Sequence, residues 1–205
     1  MSLLNFYLNK FMRIFLSVLI LIFSLQSLAK TDDIRDFQIE GMSIGDSALN
    51  FFSESEIINN IRHDAYEGSD GQFYDIYLKK DLSEIYDKVS LVFKKNDKKY
   101  IIYSLGGLIF YDEDTENCIV QYNKIAKEVE TLFPNHEKYV RKNKTHPQDK
   151  SGKSFSNATT FIHKSRSGVE VGCYSWSEEM KIEDYVIVAI DSAEFGKWLD
   201  AYYNN

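Results

Sequence analysis

The sequence predicts an α+β fold: a mainly antiparallel sheet of about six strands in two βββα halves, helices packed on one face, and short helices before the first strand. Two runs of three segments carry apolar residues with the period of two that a half-buried strand requires. Each run is followed by a segment with apolar residues three or four apart, which indicates an amphipathic helix. Strands do not alternate singly with helices, so an antiparallel sheet is favoured over a doubly wound parallel one.

Residues 1–29 have the pattern of a secretory signal peptide. Lys10 and Arg13 precede an apolar run of about 12 residues, and Ser27 and Ala29 are small residues placed for cleavage. The run is shorter than the roughly 20 residues that span a bilayer as a helix. We therefore expect cleavage after Ala29, no transmembrane segment after cleavage, and a periplasmic or secreted location.

The remaining residues, 30–205, are predicted to form one acidic domain. The leader contains two of the 24 Lys and Arg residues, so 22 remain against 31 Asp and Glu, a net charge of −9. Contacts with phosphate groups require a basic surface, which excludes nucleic acid as a partner. The partners left open are an unknown periplasmic protein, a small ligand or an anionic envelope surface, and no cofactor is predicted.

The domain begins with a short strand and short helices over 36–62. Gly45 suits a turn, and Asp46 precedes S-A-L-N-F-F, where its carboxylate is predicted to cap a helix by accepting hydrogen bonds from the first free N–H groups. Ser53 begins an S-x-x-E capping box ahead of Ile57 and is predicted to cap a second helix.

The first βββα half is predicted over 72–133. Its strands are expected at 73–78, 88–94 and 99–105, followed by a helix at 116–133. The pair Gly106-Gly107 indicates a bulge or a close approach of another chain segment.

A long loop is predicted over 134–153, which contains both prolines, and the second βββα half over 154–205. The strands of this half are expected at 156–163, 169–176 and 185–190, with a helix at 192–203. The second half therefore repeats the order of the first without a repeat at the level of residues.

The two cysteines, Cys118 and Cys173, are predicted to form one disulfide. Two cysteines in an oxidising compartment pair most simply with each other. Neither lies in a C-x-x-C motif or next to a histidine in sequence, so a reactive thiol is disfavoured.

The tripeptide Gly45-Asp46-Ser47 resembles the nucleophile block of the GDSL esterases. The resemblance implies a secreted hydrolase with Ser47 as the nucleophile. Ala48 stands where that family carries leucine, and the sequence contains no D-x-x-H to supply the acid and base of a triad. A serine hydroxyl needs such a base. The interpretation of Asp46 as a helix cap is therefore preferred to the esterase.

A second resemblance extends over most of residues 30–205. The phrases F-Q-I-E-G-M-S-I-G-D-S-A-L-N-F-F, I-I-Y-S-L-G-G-L-I-F-Y and C-Y-S-W-S-E-E-M look like those of uncharacterised secreted proteins from small, AT-rich alphaproteobacterial genomes. The resemblance implies a bacterial periplasmic location. It carries no known activity, cofactor or site.

A local excess of basic residues marks a candidate site for an anionic partner. Over 137–166 the basic residues are Lys138, Arg141, Lys142, Lys144, Lys150, Lys153, Lys164 and Arg166. Such a cluster on an acidic protein can steer an anionic ligand or an acidic protein surface, or it is simply a solvated loop. The histidines show no H-x-H or H-x-x-x-H spacing, so no metal site is predicted.

The function expected from the sequence is that of a soluble periplasmic protein without catalytic activity. It would act as a binding, assembly or protective module. The alternative is the secreted, GDSL-like esterase with Ser47 as nucleophile. Aromatic residues that alternate along the strands, such as Tyr77, Tyr174 and Trp176, are expected to form cross-strand pairs in the core or to stack on a sugar or peptide.

Overall fold

The computed structural model describes residues 34–62, 66, 71–79, 85–111, 114–147 and 149–204. The predicted signal peptide, 1–29, lies outside these residues. None of the helices in the described ranges is both long enough and apolar enough to cross a bilayer.

An eight-stranded sheet forms the centre of the structure. Its strands are β1 (Ile61–Arg62), β2 (Phe73–Leu78), β3 (Lys88–Lys94), β4 (Ser104–Phe110), β5 (Glu137–Thr145), β6 (Phe155–Ile162), β7 (Gly168–Ser175) and β8 (Tyr185–Asp191). They lie in the order β1-β2-β3-β4-β8-β7-β6-β5, with every neighbouring pair antiparallel. Two four-stranded meanders therefore meet where β4 pairs with β8, with Gly107 opposite Val188.

The α+β class and the antiparallel sheet agree with the sequence prediction, whereas the strand number does not. The sheet has eight strands instead of about six because β1 and β5 were not predicted. Strand β5 lies inside the segment predicted as a long loop. All nine of its residues are exposed, so no buried face requires apolar residues at every second position. Only its pairing with β6 defines it as a strand. The division into two βββα halves is not confirmed and stays a prediction.

Within the described ranges, three α-helices accompany the sheet: α1 (Glu54–Asn59), α2 (Thr115–Leu132) and α3 (Ala193–Asn204). Helix α2 begins after Asp114, whose carboxylate accepts a hydrogen bond from the N–H of Asn117 at 3.1 Å. Its buried residues, which include Tyr122, Ile125 and Val129, follow the spacing of three or four expected for an amphipathic helix.

One face of the sheet, which we call the core face, carries the main hydrophobic core. Leu91, Phe93, Val171 and Val186 point to this face and are each fully buried. Helix α2 and the N-terminal segment from Ile34 to Ile57 pack against them in one cluster. Burial of such side chains contributes about 1.5–3 kcal/mol each to folding.

The opposite face, which we call the groove face, is partly covered by α3. Phe195 of α3 packs with Phe73 of β2 and Val92 of β3, and these two residues alternate with the neighbours that point to the core face. The helices therefore lie on both faces, and the expectation that they share one face is wrong. The reason is that Phe73 and Val92 point to the groove face and form an apolar surface there, against which α3 packs.

The predicted disulfide is present: Cys118 of α2 is bonded to Cys173 of β7, with 5.7 Å between the two Cα atoms. Both cysteines are fully buried on the core face. The bond closes a loop of 55 residues and fixes α2 to the second meander.

Candidate functional site

A large groove lies on the groove face, beside the region that α3 covers. Its volume is about 920 Å³. The groove is lined mainly by residues of β2, β3, β4, β7 and β8 that alternate with those of the core face: Asp75, Tyr77, Lys88, Ser90, Ser104, Gly106, Phe110, Glu170, Tyr174, Tyr185, Ile187 and Ala189. Alternation along the strands thus places one set of side chains in the core and the other in the groove.

Small residues keep the middle of the groove open. Gly106 of β4 stands between Ser90 of β3 and Ala189 of β8 in the strand register. A Cβ atom at Gly106 would lie only 3.1 Å from Cδ1 of Ile187, so a larger residue would crowd the floor. The sequence signal of Gly106 is therefore explained by close packing inside a continuous strand and not by a bulge.

Helix α3 closes one end of the groove. Phe195 packs against Phe73 with ring centroids 5.3 Å apart, and Leu199 lines the groove beside it. The helix is also held from the side, because Nε of Arg166 donates a hydrogen bond to Asp200 at 2.7 Å. A Cβ atom at Gly196 would overlap the carbonyl oxygen of Arg166, so this close approach requires glycine.

A strip of aromatic rings forms the wall at the other end. Tyr174 and Tyr185, paired across β7 and β8, stack with ring centroids 5.2 Å apart. Trp176 continues the strip 6.4 Å from Tyr174 with nearly parallel rings, and His146 packs against Trp176 at 4.3 Å. The partly buried rings of Tyr174 and Trp176 present apolar surface to the groove.

Arg62, Asp75 and Lys88 contact other groups of the groove. Nη1 of Arg62 donates to Asp75 at 3.3 Å, and its guanidinium lies 4.7 Å from the ring centroid of Tyr77. Nζ of Lys88 lies 5.0 Å from the centroid of Phe110. Such cation–π contacts hold each cation close to the wall of the groove.

The carboxylate of Glu170 is the best-connected acid of the groove. It accepts hydrogen bonds from the hydroxyl of Tyr174 at 2.8 Å and from Oγ1 of Thr160 at 3.0 Å. Nη2 of Arg141 approaches the same carboxylate at 3.5 Å from the edge strand β5. These contacts fix its position on the floor.

Burial shifts the protonation of several groups around the groove. It raises the pKa of the Tyr174 and Tyr185 hydroxyls well above the usual range, so both stay protonated. It lowers the pKa of His146, with a further contribution from Arg141, so the imidazole is neutral at pH 7. It raises the pKa of Asp191, at the end of β8, to about 7. The hydrogen bond that Ser104 donates to Asp191 at 2.5 Å acts in the opposite direction.

Comparison with protein-family models, curated proteins and solved structures found no match to this chain. The function therefore has to be argued from the groove and its residues. Within the described ranges, no group of three or more His, Cys, Asp or Glu side chains is placed to hold a metal ion.

The structure corrects the predicted role of Asp46 and assigns a role to Ser47. Asp46 does not cap a helix, because its carboxylate accepts from the N–H of Ser43 at 2.8 Å and closes a turn. The cap of the 3-10 turn at Ala48–Asn50 is Ser47, one residue closer to the turn. Its hydroxyl accepts from the N–H of Leu49 at 3.3 Å and donates to the carbonyl of Lys99 at 2.6 Å.

Ser53 caps α1 with a complete capping box. Its hydroxyl accepts from the N–H of Glu56 at 3.3 Å, and the Glu56 carboxylate accepts from the N–H of Ser53 at 2.8 Å. The Ser53 hydroxyl also donates to the Glu56 carboxylate at 2.6 Å, and this hydrogen bond, together with that from the N–H of Ser53, lowers the pKa of Glu56.

The eight basic residues predicted as an anion site are not gathered in one place. Four of them form ion pairs, Lys138 with Glu130, Arg141 with Glu170, Lys153 with Glu179, and Arg166 with Asp200. The other four, Lys142, Lys144, Lys150 and Lys164, are exposed and make no ion pair with described residues. Lys164 follows the end of β6, whereas Lys150 precedes its start, so the length of a strand separates them.

The sequence analysis singled out several residues of the groove but did not predict that they lie together on one face of the sheet. Of the aromatic residues that alternate along strands, Tyr77, Tyr174 and Trp176 line the groove. Phe73 and Tyr103 pack together under α3, with ring centroids 5.4 Å apart. The polar positions within apolar strands, such as Ser90 and Glu170, were the available signal of a second, solvated face.

Proposed function

We propose that this protein is a non-catalytic, periplasmic or secreted binding protein that holds a small ligand in the groove. The observation that carries the proposal is an open volume of about 920 Å³ on a rigid sheet, lined by both rings and fixed polar groups. Ligand pockets typically have about 300–1,000 Å³ and combine apolar walls with a few placed polar groups.

The surroundings of the groove indicate a site that is already formed before a ligand binds. The floor is made of central strands, and the rings of the wall are packed against each other, so little has to be ordered when a ligand enters. A binding site that is already ordered loses less free energy on association.

The contacts of Ser47 support the non-catalytic proposal over the esterase. Its hydroxyl donates to the carbonyl of Lys99 and accepts from the N–H of Leu49, which are the contacts of a capping residue. A nucleophilic serine donates its hydroxyl proton to a base.

The proposal is tested by closing the middle of the groove. Ala189→Leu adds three carbons at the open centre, and Ala201→Leu makes the same change at an exposed position of α3. We expect the neutral fluorescent dye 6-propionyl-2-dimethylaminonaphthalene to bind the folded native protein and the Ala201→Leu variant, and to bind the Ala189→Leu variant at least about tenfold more weakly. Dye binding that is equal in the two variants would refute the groove as a ligand site.

The same proposal predicts an outcome for hydrolysis. Purified protein is expected not to cleave p-nitrophenyl esters in a way that depends on Ser47. Turnover that is lost in Ser47→Ala, with folding retained in circular dichroism, would restore the esterase.

A further inference from the structure

We infer that the ligand of the groove is a neutral saccharide. This inference depends on the proposed binding function and narrows it. Three properties of the lining lead to it: the balance of charge, the aromatic strip, and the fixed hydrogen-bonding groups of the floor.

The lining carries no net charge among the described residues. Its cations are Arg62, Lys88 and Lys181, and its carboxylates are Asp75, Glu170 and Glu183. His146 is neutral at pH 7 because burial lowers its pKa. Charged ligands are recognised by an excess of the opposite charge, and this groove offers none to either sign.

Arg62, Asp75 and Glu170 are also held in place by partners. Arg62 is paired with Asp75, which is 6% exposed, and Glu170 accepts from the Tyr174 hydroxyl. A carboxylate has about four lone-pair sites, so each acid can still accept from ligand hydroxyls. Fixed carboxylate and guanidinium groups therefore offer acceptors and donors to a ligand with many hydroxyl groups.

The aromatic strip supplies the apolar surface that a sugar ring requires. Tyr174 and Trp176 lie nearly parallel, with an interplanar angle of 16° and centroids 6.4 Å apart. Both rings line the groove and are partly buried, so each offers an apolar face to a ligand. The apolar C–H face of a sugar can pack on such an aromatic ring while the sugar hydroxyls form hydrogen bonds with the polar floor.

Other ligand classes fit less well. A lipid chain would displace water from the polar groups of Arg62, Asp75 and Glu170 without offering them hydrogen bonds, which costs free energy. A quaternary ammonium ligand would compete with Arg62 and Lys88, which already lie over the rings of Tyr77 and Phe110.

The test is a binding screen against an array of neutral glycans, followed by calorimetric titration with maltose, cellobiose, diacetylchitobiose and the best array glycan. Choline and dodecanoate serve as the cationic and the lipid probes. We expect at least one neutral glycan to bind and both other probes to fail. Trp176→Ala and Glu170→Gln should each weaken glycan binding about tenfold or more, which corresponds to about 1.4 kcal/mol.

Matched variants and the dye separate the possible failures. Lys150→Ala, outside the groove lining, is expected to bind glycan normally, and thermal unfolding checks that Trp176→Ala and Glu170→Gln are folded. If the dye binds in a manner that Ala189→Leu blocks while no glycan on the array binds, the saccharide inference is refuted and the binding function stands. If neither dye nor glycan binds, both are refuted. Equal glycan binding by all variants would also refute the inference.

Discussion

Replacing Asp191 with asparagine should change how the stability of the protein depends on pH. Asp191 is partly buried at the end of β8, and its pKa is raised from 3.8 to about 7 mainly by burial. The folded state therefore binds the proton more tightly than the unfolded chain does. The stability contribution of this proton is complete below pH 3.8 and is lost as the pH rises through about 7.

The size of the effect follows from the two pKa values. Between pH 5 and pH 8 the wild-type protein should lose up to about 3 kcal/mol of unfolding free energy through this one group. This is an upper value, because solvent contact at a partly buried carboxylate screens its charge. In Asp191→Asn the side-chain amide keeps an oxygen that can accept from Ser104, and it does not titrate, so the variant should lack this loss.

Urea unfolding followed by circular dichroism at pH 5 and pH 8 measures both proteins with the disulfide intact. The decisive quantity is the loss of unfolding free energy between pH 5 and pH 8 in the wild type minus the same loss in Asp191→Asn. The subtraction is needed because histidines and other carboxyl groups titrate in both proteins. We expect a difference of about 1–3 kcal/mol, with the variant relatively more stable at pH 8. Parallel pH profiles would show that Asp191 is ionised in the folded protein over this range and would refute the argument from burial.

Three further substitutions test the fold. Ser53→Ala should lower the unfolding free energy by about 1 kcal/mol through loss of the α1 cap, measured in urea, and an unchanged midpoint would contradict the capping box. Replacing Cys118 and Cys173 together with alanine should cost about 4 kcal/mol, because the bond closes a loop of 55 residues, and a loss below about 1 kcal/mol would contradict that reasoning. Replacing Lys142 and Lys144 with threonine should leave stability within about 0.5 kcal/mol but promote pairing of the β5 edge, seen as dimers or larger species in light scattering. A protein that stays monomeric would show that these lysines do not protect the edge.

The sequence predicts strands with alternating apolar residues and misses β1, which has only two residues, and β5. It also places the third strand at 99–105, whereas β4 is Ser104–Phe110. In β3, Val89, Leu91 and Phe93 alternate with polar neighbours, and the predicted strand at 88–94 agrees with the structure. Strand β5 has solvent on both faces and offers no such pattern. Its pairing with the next strand, β6, makes it a strand, and the pattern of residues within β5 alone does not show that pairing.

The groove could not be assembled from the sequence because its parts come from separate regions of the chain. Ser90, Gly106 and Ala189 become neighbours only once β4 pairs with both β3 and β8, and the pairing of β4 with β8 joins the two meanders. The prediction of all helices on one face would have left the other face bare. The observed position of α3 instead closes one end of that face and makes it a groove.

The disulfide has a consequence for the groove as well as for the core. Cys173 points to the core face, where it is bonded to Cys118 of α2, and its two neighbours Gly172 and Tyr174 point to the groove face. A Cβ atom at Gly172 would lie 2.8 Å from the ring of Tyr174, so that ring lies directly over the β7 backbone. The bond therefore fixes to α2 the same strand that carries Tyr174 and Glu170. A wall that is already ordered loses little entropy when a ligand binds, so the covalent link on one face of the sheet would favour the proposed recognition on the other.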